Sequence, residues 1–248
     1  MNISLTLQKA CLWRLSTRRV AVGPDPDFPY LSEYDSFFYG DPNDWDGDIV
    51  GIGGNLSPGM LLSAYEQGIF PWYNPGDPVI WQSPDPRCVI FPESLHISSS
   101  MRKIINSDIF EIKFNTDFAG VMEGCANTNR PGQGGTWITS DIIEGYTELH
   151  RLGWAHSAEA WQDGQLIGGC YGLLLGRAFF GESMFSKKSN ASKAAFLRFA
   201  ELLFARGLFF IDCQVPTNHL LSLGGQELSR KDFLKLLRKN NVSRYPSP

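Results

Sequence analysis

Apolar positions along the chain recur with two different periods, and the change of period orders the elements. Ser57 followed by Pro58 predicts a helix with Met60, Leu61, Ala64 and Tyr65 along one face and Gly68 as its stop. A Ser hydroxyl caps free amides, Pro costs nothing at the first helical position, and Gly accepts the left-handed turn beyond the end. Asp117 predicts a second start, ahead of Phe118, Val121, Met122 and Cys125; Ser140 predicts a third, with Ile142, Ile143, Tyr146 and Leu149 before Gly153. The period then shortens to two. Residues 154–162 alternate, Asp163-Gly164 is a hairpin dipeptide, 165–175 return, and Gly176-Arg177 turns into 178–185. A long amphipathic helix over 192–206 carries Ala195, Phe196, Phe199, Leu202 and Leu203 on one side and ends at Gly207. Residues 208–215 form an apolar run suited to a buried strand, and Ser229 with Asp232 starts a last helix turning Phe233, Leu236 and Leu237 inward.

Upstream, residues 23–55 are rich in Pro, Asp, Gly and aromatics, a composition of loops and short strands. Pro84-Asp85-Pro86-Arg87 marks a break. The expected division is an N-terminal extension over 1–22, a small α+β domain over 23–87 and a catalytic domain over 88–248. Three antiparallel strands, a helix, a strand and a helix suit an α+β acyltransferase sheet of the GNAT-like type, an order that several other folds share.

Composition narrows the picture. With 43% hydrophobic residues among 248, the chain has ample material for a core, and intrinsic disorder is excluded. The net charge of −4 means that any RNA contact must come from a local basic patch. Five scattered cysteines without a C-x-x-C argue for reduced thiols, and the four histidines show no ligand spacing, so neither a metal nor a cofactor is expected. Lys9, Arg14, Arg18 and Arg19 interrupt the first apolar stretch, and no run is long enough to span a membrane. The expectation is a cytoplasmic protein.

Candidate chemistry lies where polar groups interrupt apolar strands. Glu182 sits within Phe180-Gly181-Glu182-Ser183-Met184-Phe185, and burying a carboxylate there is costly unless it is hydrogen-bonded or used. In 209–215, strand alternation places Asp212 and Gln214 on one face and Cys213 on the other. Asp would orient or deprotonate an amine and Gln would hold a carbonyl or hydroxyl; a merely solvated strand end is the plainer alternative. Trp72 follows Ile69-Phe70-Pro71, and Trp137 follows Gly134-Gly135-Thr136; each suits either stacking on a base or core packing.

Seven segments occur together in one order: 63–72, Ser83-Pro84-Asp85-Pro86-Arg87, 135–139, Ala155-His156-Ser157, 180–186, Ala191-Ser192-Lys193 and Asp212-Cys213-Gln214. The series, from about Gly51 to about Leu237, resembles the bacterial leucyl/phenylalanyl-tRNA–protein transferase family. The resemblance implies transfer of Leu or Phe, with Met as a third candidate, from aminoacyl-tRNA to proteins beginning with Lys or Arg, marking them for degradation. It implies that Trp72 and Trp137 flank the tRNA's terminal adenosine and the amino-acid pocket. It further implies an apolar pocket of Cys170, Phe179, Met184, Phe196, Phe199, Leu203 and Ile211, and a polar centre of Glu182, Asp212 and Gln214. Trp81-Gln82 stands where the family has two Trp, which predicts the loss of one apolar contact, and Cys170 stands where Met is common.

The donor ester is already activated, so the reaction needs positioning rather than ATP, and positioning supplies up to about 7–11 kcal/mol. Asp212 is expected to act on the acceptor amine, directly or through Gln214, with Glu182 holding amine or ribose. Lys187, Lys188 and Lys193 are the candidate contacts to the tRNA backbone. The rivals are an acyl-CoA-dependent N-acyltransferase, which would need glycine-rich backbone where 186–193 has none, and a noncatalytic RNA-binding adaptor.

Overall fold

The computed structural model describes residues 21–128 and 136–243. Almost all of the expected N-terminal extension, with Lys9, Arg14, Arg18 and Arg19, and the Gly134-Gly135 pair before Trp137 lie outside the described residues.

The chain runs β1 (Ile49–Ile52), α1 (Pro58–Glu66), β2 (Phe70–Pro71), β3 (Ile80–Gln82), β4 (Arg87–Ile90), α2 (Ser99–Ile105), β5 (Glu111–Phe114) and α3 (Phe118–Ala126). It continues α4 (Ser140–Arg151), β6 (Ala155–Gln162), β7 (Gln165–Leu175), β8 (Ala178–Ser186), α5 (Ala191–Ala205), β9 (Phe210–Gln214), α6 (Asn218–Ser222), β10 (Gln226–Leu228) and α7 (Arg230–Lys239). Strands β1, β3 and β2 form a small antiparallel sheet; the other seven lie in the order β10-β4-β9-β8-β7-β6-β5. Every neighbouring pair of the large sheet is antiparallel except β8–β9, which α5 joins in parallel.

Period two divides the large sheet between two helical layers. Tyr171, Leu173, Phe180 and Phe210 pack toward α1, α3, α4 and α7, whereas Cys170, Phe179 and Ile211 pack toward α5 and α2. The first apolar cluster runs without interruption from Val50 through Tyr65 to Phe233, so it crosses the chain break at Pro84–Arg87 where the change of sheet falls.

Two caps fall where the sequence predicts. Asp117 accepts from the Gly120 amide and Ser229 from the Asp232 amide. The third helix is capped by Thr139 rather than begun by a capping Ser140. Ser57 precedes α1 without capping it; its Oγ accepts from the Leu31 amide and donates to Asn55. Two inward faces differ from expectation. In α7 Leu234 is buried and Leu236 only half-buried, and in α5 Leu202 is half-buried. Strands β5 and β10, and helices α2 and α6, are too short to carry a readable period.

No helix among the described residues is long and apolar enough to cross a membrane.

Candidate active site

A cleft of about 250 Å³ opens beside β8. Cys170, Phe179, Met184 and Phe196 form its apolar side, with Trp137 at the wall; Glu182, Ser183, Cys213, Thr217 and His219 supply polarity. Four of the seven predicted pocket residues, with Trp137, therefore meet around one cavity. Phe199, Leu203 and Ile211 do not line it. They are buried behind it in the same apolar layer, where Phe199 meets Phe179 edge-on at 5.1 Å, so they shape the wall rather than touch its contents. Trp72 also lies outside the lining; half-buried, it stacks on Phe70 and its carbonyl accepts from Gln82 Nε2 at 2.9 Å. Gln82 thus replaces the expected lost apolar contact with a hydrogen bond to Trp72.

Two bulges aim the polar side chains. Tyr171 pairs with Ser183 and Gly172 with Gly181, which leaves Glu182 as the extra residue of β8. On β9, Cys88 pairs with Gln214 and Val89 with Asp212, leaving Cys213 unpaired. An inserted residue bends its strand and turns side chains off strict alternation. Gln214 completes the distortion with φ of 63°, the left-handed region that costs a non-glycine residue energy.

The consequence overturns the expected alternation. Cys213 lines the cleft and Asp212 does not. Asp212 is wholly buried, its Oδ1 and Oδ2 accepting from Arg87 Nε and Nη2 at 2.9 and 2.6 Å. Its Oδ1 also accepts the Gln214 amide at 2.9 Å. With both oxygens occupied, Asp212 has no reach to an amine in the cleft. Its place is to hold Gln214. Arg87 is equally buried, donates to the Gly68 carbonyl at 3.0 Å, and lies between the rings of Phe70 and Phe233. Gly68 can offer that carbonyl because its φ of 77° ends α1 in a turn suited to glycine.

Gln214 Nε2 donates to Glu182 Oε1 at 2.7 Å. Tyr65 donates to the same oxygen at 2.6 Å, Tyr146 to Oε2 at 3.1 Å, and the two phenol oxygens are themselves in very short contact. Both tyrosines are wholly buried on helices from opposite sides of the chain break. Three contacts join the two phenols and the carboxylate, but two phenols bring only two protons. When Glu182 carries a third proton, one phenol turns from donor to acceptor and all three contacts are satisfied. Consistently, Glu182 is pushed up to about 7, by burial first and by the Asp212 charge, against the pull of the tyrosine hydrogen bonds and Arg87. Such a group exchanges a proton near neutrality. Burial, with the neighbouring carboxylate, holds both phenols well above their ordinary range. Tyr65 and Tyr146 read in sequence as apolar helix faces; only their phenol tips mark them as more.

The basic residues beyond β8 separate. Lys187 Nζ rests 3.2 Å from the Leu166 carbonyl and Lys188 Nζ 2.5 Å from Gln162 Oε1, both exposed. Lys193, half-buried, lies near His219 and with burial lowers that imidazole, burial being the larger cause. At the start of α5 the Ser192 amide donates to Ser186 Oγ at 3.2 Å and the Ala191 amide to the Lys188 carbonyl at 3.2 Å. Amides engaged this way are not offered to a pyrophosphate, which counts against the acyl-CoA reading.

Comparison with known proteins places the chain in a family. Family models described as leucyl/phenylalanyl-tRNA protein transferase and its N-terminal domain match residues 89–238 and 54–85. Proteins named leucyl/phenylalanyl-tRNA–protein transferase are similar to the chain: one from Nitratidesulfovibrio vulgaris strain DP4 is 51% identical over 80% of this chain and 84% of its own. Another, from Saccharophagus degradans, is 45% identical over 89% and 91%. A solved GCN5-related N-acetyltransferase-like protein from Streptococcus suis aligns with TM-score 0.36 and 13% identity, over 72% of this chain and 67% of that one. With Glu182, Asp212 and Gln214 inside the matched span and half the residues shared with such relatives, the chain belongs to the leucyl/phenylalanyl-tRNA–protein transferase family.

Proposed function

We infer that the chain is an aminoacyltransferase that moves Leu or Phe from aminoacyl-tRNA onto the α-amino group of a protein. The observation that carries the reading is an apolar cleft that ends on a carboxylate titrating near neutrality. Cys170, Phe179, Met184 and Phe196 are suited to an aliphatic or aromatic side chain, and Trp137 to the terminal adenosine.

In this reading the neutral acceptor amine attacks the ester carbonyl and gives a proton to Glu182. The bond from carbonyl carbon to ribose oxygen then breaks, the departing oxygen takes that proton, and the amide remains. Gln214 orients Glu182, Tyr65 and Tyr146 stabilise the ionised carboxylate that accepts the proton, and Asp212 with Arg87 fixes Gln214. Family membership supports acceptors that begin with Lys or Arg, their marking for degradation, and a cytoplasmic site of action. Trp72 would back the adenosine site, and Lys187, Lys188 and Lys193 would take phosphates of the acceptor stem.

The test is incorporation of labelled Leu from charged tRNA into a peptide beginning with Arg, in EDTA and without ATP. Product at a normal rate supports the reading; strict dependence on acyl-CoA or ATP refutes it.

A further inference from the structure

Two thiols sit together at the cleft, and the transfer chemistry uses neither. Cys213 is the extra residue of the β9 bulge and faces the cleft; Cys88 lies opposite that bulge on β4. Two residues that share one cross-strand partner sit close to it, and each thiol is the largest influence on the other, lowering Cys88 and raising Cys213. Cys88 is wholly buried, its Sγ in the space left by Gly225, where a Cβ would come within 2.8 Å. The other two described thiols are arranged differently. Cys125 and Cys170 pack in opposite apolar layers of the sheet.

We propose that Cys88 and Cys213 form a thiol–disulfide site opening on the cleft, at which a hydroperoxide switches the enzyme off and a dithiol restores it. Cys213 is the sulfur that an oxidant in the cleft can meet. Its sulfur attacks the peroxide oxygen, the O–O bond breaks, and an alcohol or water leaves, giving the sulfenic acid. The Cys213 proton goes to the departing oxygen, which leaves as the neutral alcohol or water. Cys88 then attacks the Cys213 sulfenic sulfur; hydroxide departs and takes the Cys88 proton as water. Two sulfurs lose two electrons and the peroxide gains two.

The disulfide draws Cys213 toward β4. Asp212 and Gln214 flank Cys213, and the Gln214 backbone is already at φ of 63°. Moving the peptide between them takes Gln214 Nε2 away from Glu182, so turnover falls. A dithiol reverses the step by thiol–disulfide exchange.

The activity arm of the test rests on the transfer reading; the thiol arm does not. Reduced full-length protein is treated with graded hydrogen peroxide, free thiols are alkylated, and peptides are mapped by mass spectrometry beside the transfer assay. A linked Cys88–Cys213 peptide is expected to rise in step with a tenfold or greater loss of activity, both reversed by dithiothreitol. Cys88→Ala, with Cys88→Ser as a second variant, is expected to keep the reduced activity and to need at least tenfold more peroxide for the same loss. No linked peptide at doses that oxidise methionine overturns the site, and a linked peptide with full activity overturns the switch. If reduced protein transfers nothing, the transfer reading fails, and the peptide map still decides whether the thiols pair.

Discussion

Tyr146→Phe removes one oxygen from the proton-sharing ring and leaves the buried aromatic packing in place. In the parent, Glu182 titrates at about 7, so about half is ionised at neutral pH and ready to accept a proton. The phenol donates to Oε2 at 3.1 Å, the longest of the three side-chain bonds to the carboxylate. A hydrogen bond to a charged group contributes about 1.5–3 kcal/mol, and the low end of that range corresponds to about one pH unit. The donor favours the ionised form, so its loss moves the acidic limb of kcat upward by about one pH unit. At pH 7 the ionised fraction falls from about one half to about one tenth, a fivefold drop in kcat, while at pH 9 the two enzymes differ by less than about twofold. The assay is leucyl transfer at saturating donor and acceptor from pH 6 to pH 9. With the same peptide throughout, titration of its amine near about 7.7–8.0 cancels in the ratio of the two enzymes. A ratio that stays constant across that range, or a limb that moves downward, refutes Glu182 as the base and leaves Tyr146 a packing residue.

Three further outcomes follow from the same geometry. Arg87→Ala leaves Asp212 buried without its counter-charge, and should cost about 3–5 kcal/mol; in thermal denaturation that is a melting temperature lower by about 6–20 °C, and an unchanged melt would show that Asp212 relaxes to solvent. Glu182 is raised in the fold, so its stabilising share is present below its unfolded value of about 4.3 and lost as pH rises through about 7. Glu182→Gln should therefore unfold later than the parent at pH 8, by at most about 4 kcal/mol, lose that advantage at pH 4, and have little activity; equal stability gains at both pH values would contradict the raised carboxyl. Replacing Lys187, Lys188 and Lys193 by Gln should flatten the log–log salt dependence of tRNA binding by roughly 0.7–0.9 for each true phosphate contact, with kcat kept at saturating donor, and a slope that does not change places the RNA elsewhere.

The long elements were legible because each repeats one period. Phe118, Val121, Met122 and Cys125 face inward on α3 as their spacing requires, and Asp163-Gly164 joins β6 to β7. The candidate cleft was legible in part, in Trp137, Cys170, Phe179, Met184, Phe196 and Glu182, but not in its wiring. Alternation assumes a regular strand, and the bulges at Glu182 and Cys213 are where the strands are irregular. Asp212 therefore read as a reagent although its charge is spent on Arg87. Tyr65 and Tyr146 satisfied an apolar helix pattern with their rings, and nothing in local sequence shows that two phenols from different helices meet one carboxylate. Arg87 stood beside a Pro-rich break, a position that reads as a surface loop until β4 is placed between β9 and β10.

The partnership of Arg87 with Asp212 also sets a clock for the enzyme's birth. The two residues are 125 positions apart, and β4 has no neighbour in its sheet until β9 and β10 have been made. At a synthesis rate of about 5–20 residues per second, the arginine waits roughly 6–25 s for its carboxylate. During that interval the nascent chain holds a cation that cannot be buried, and Gln214, which aims the proton-accepting group, does not yet exist. Catalytic competence therefore arrives late, once β9 has been made and has joined β4 to β8, and a ribosome stalled before residue 212 carries a chain with no capacity to transfer.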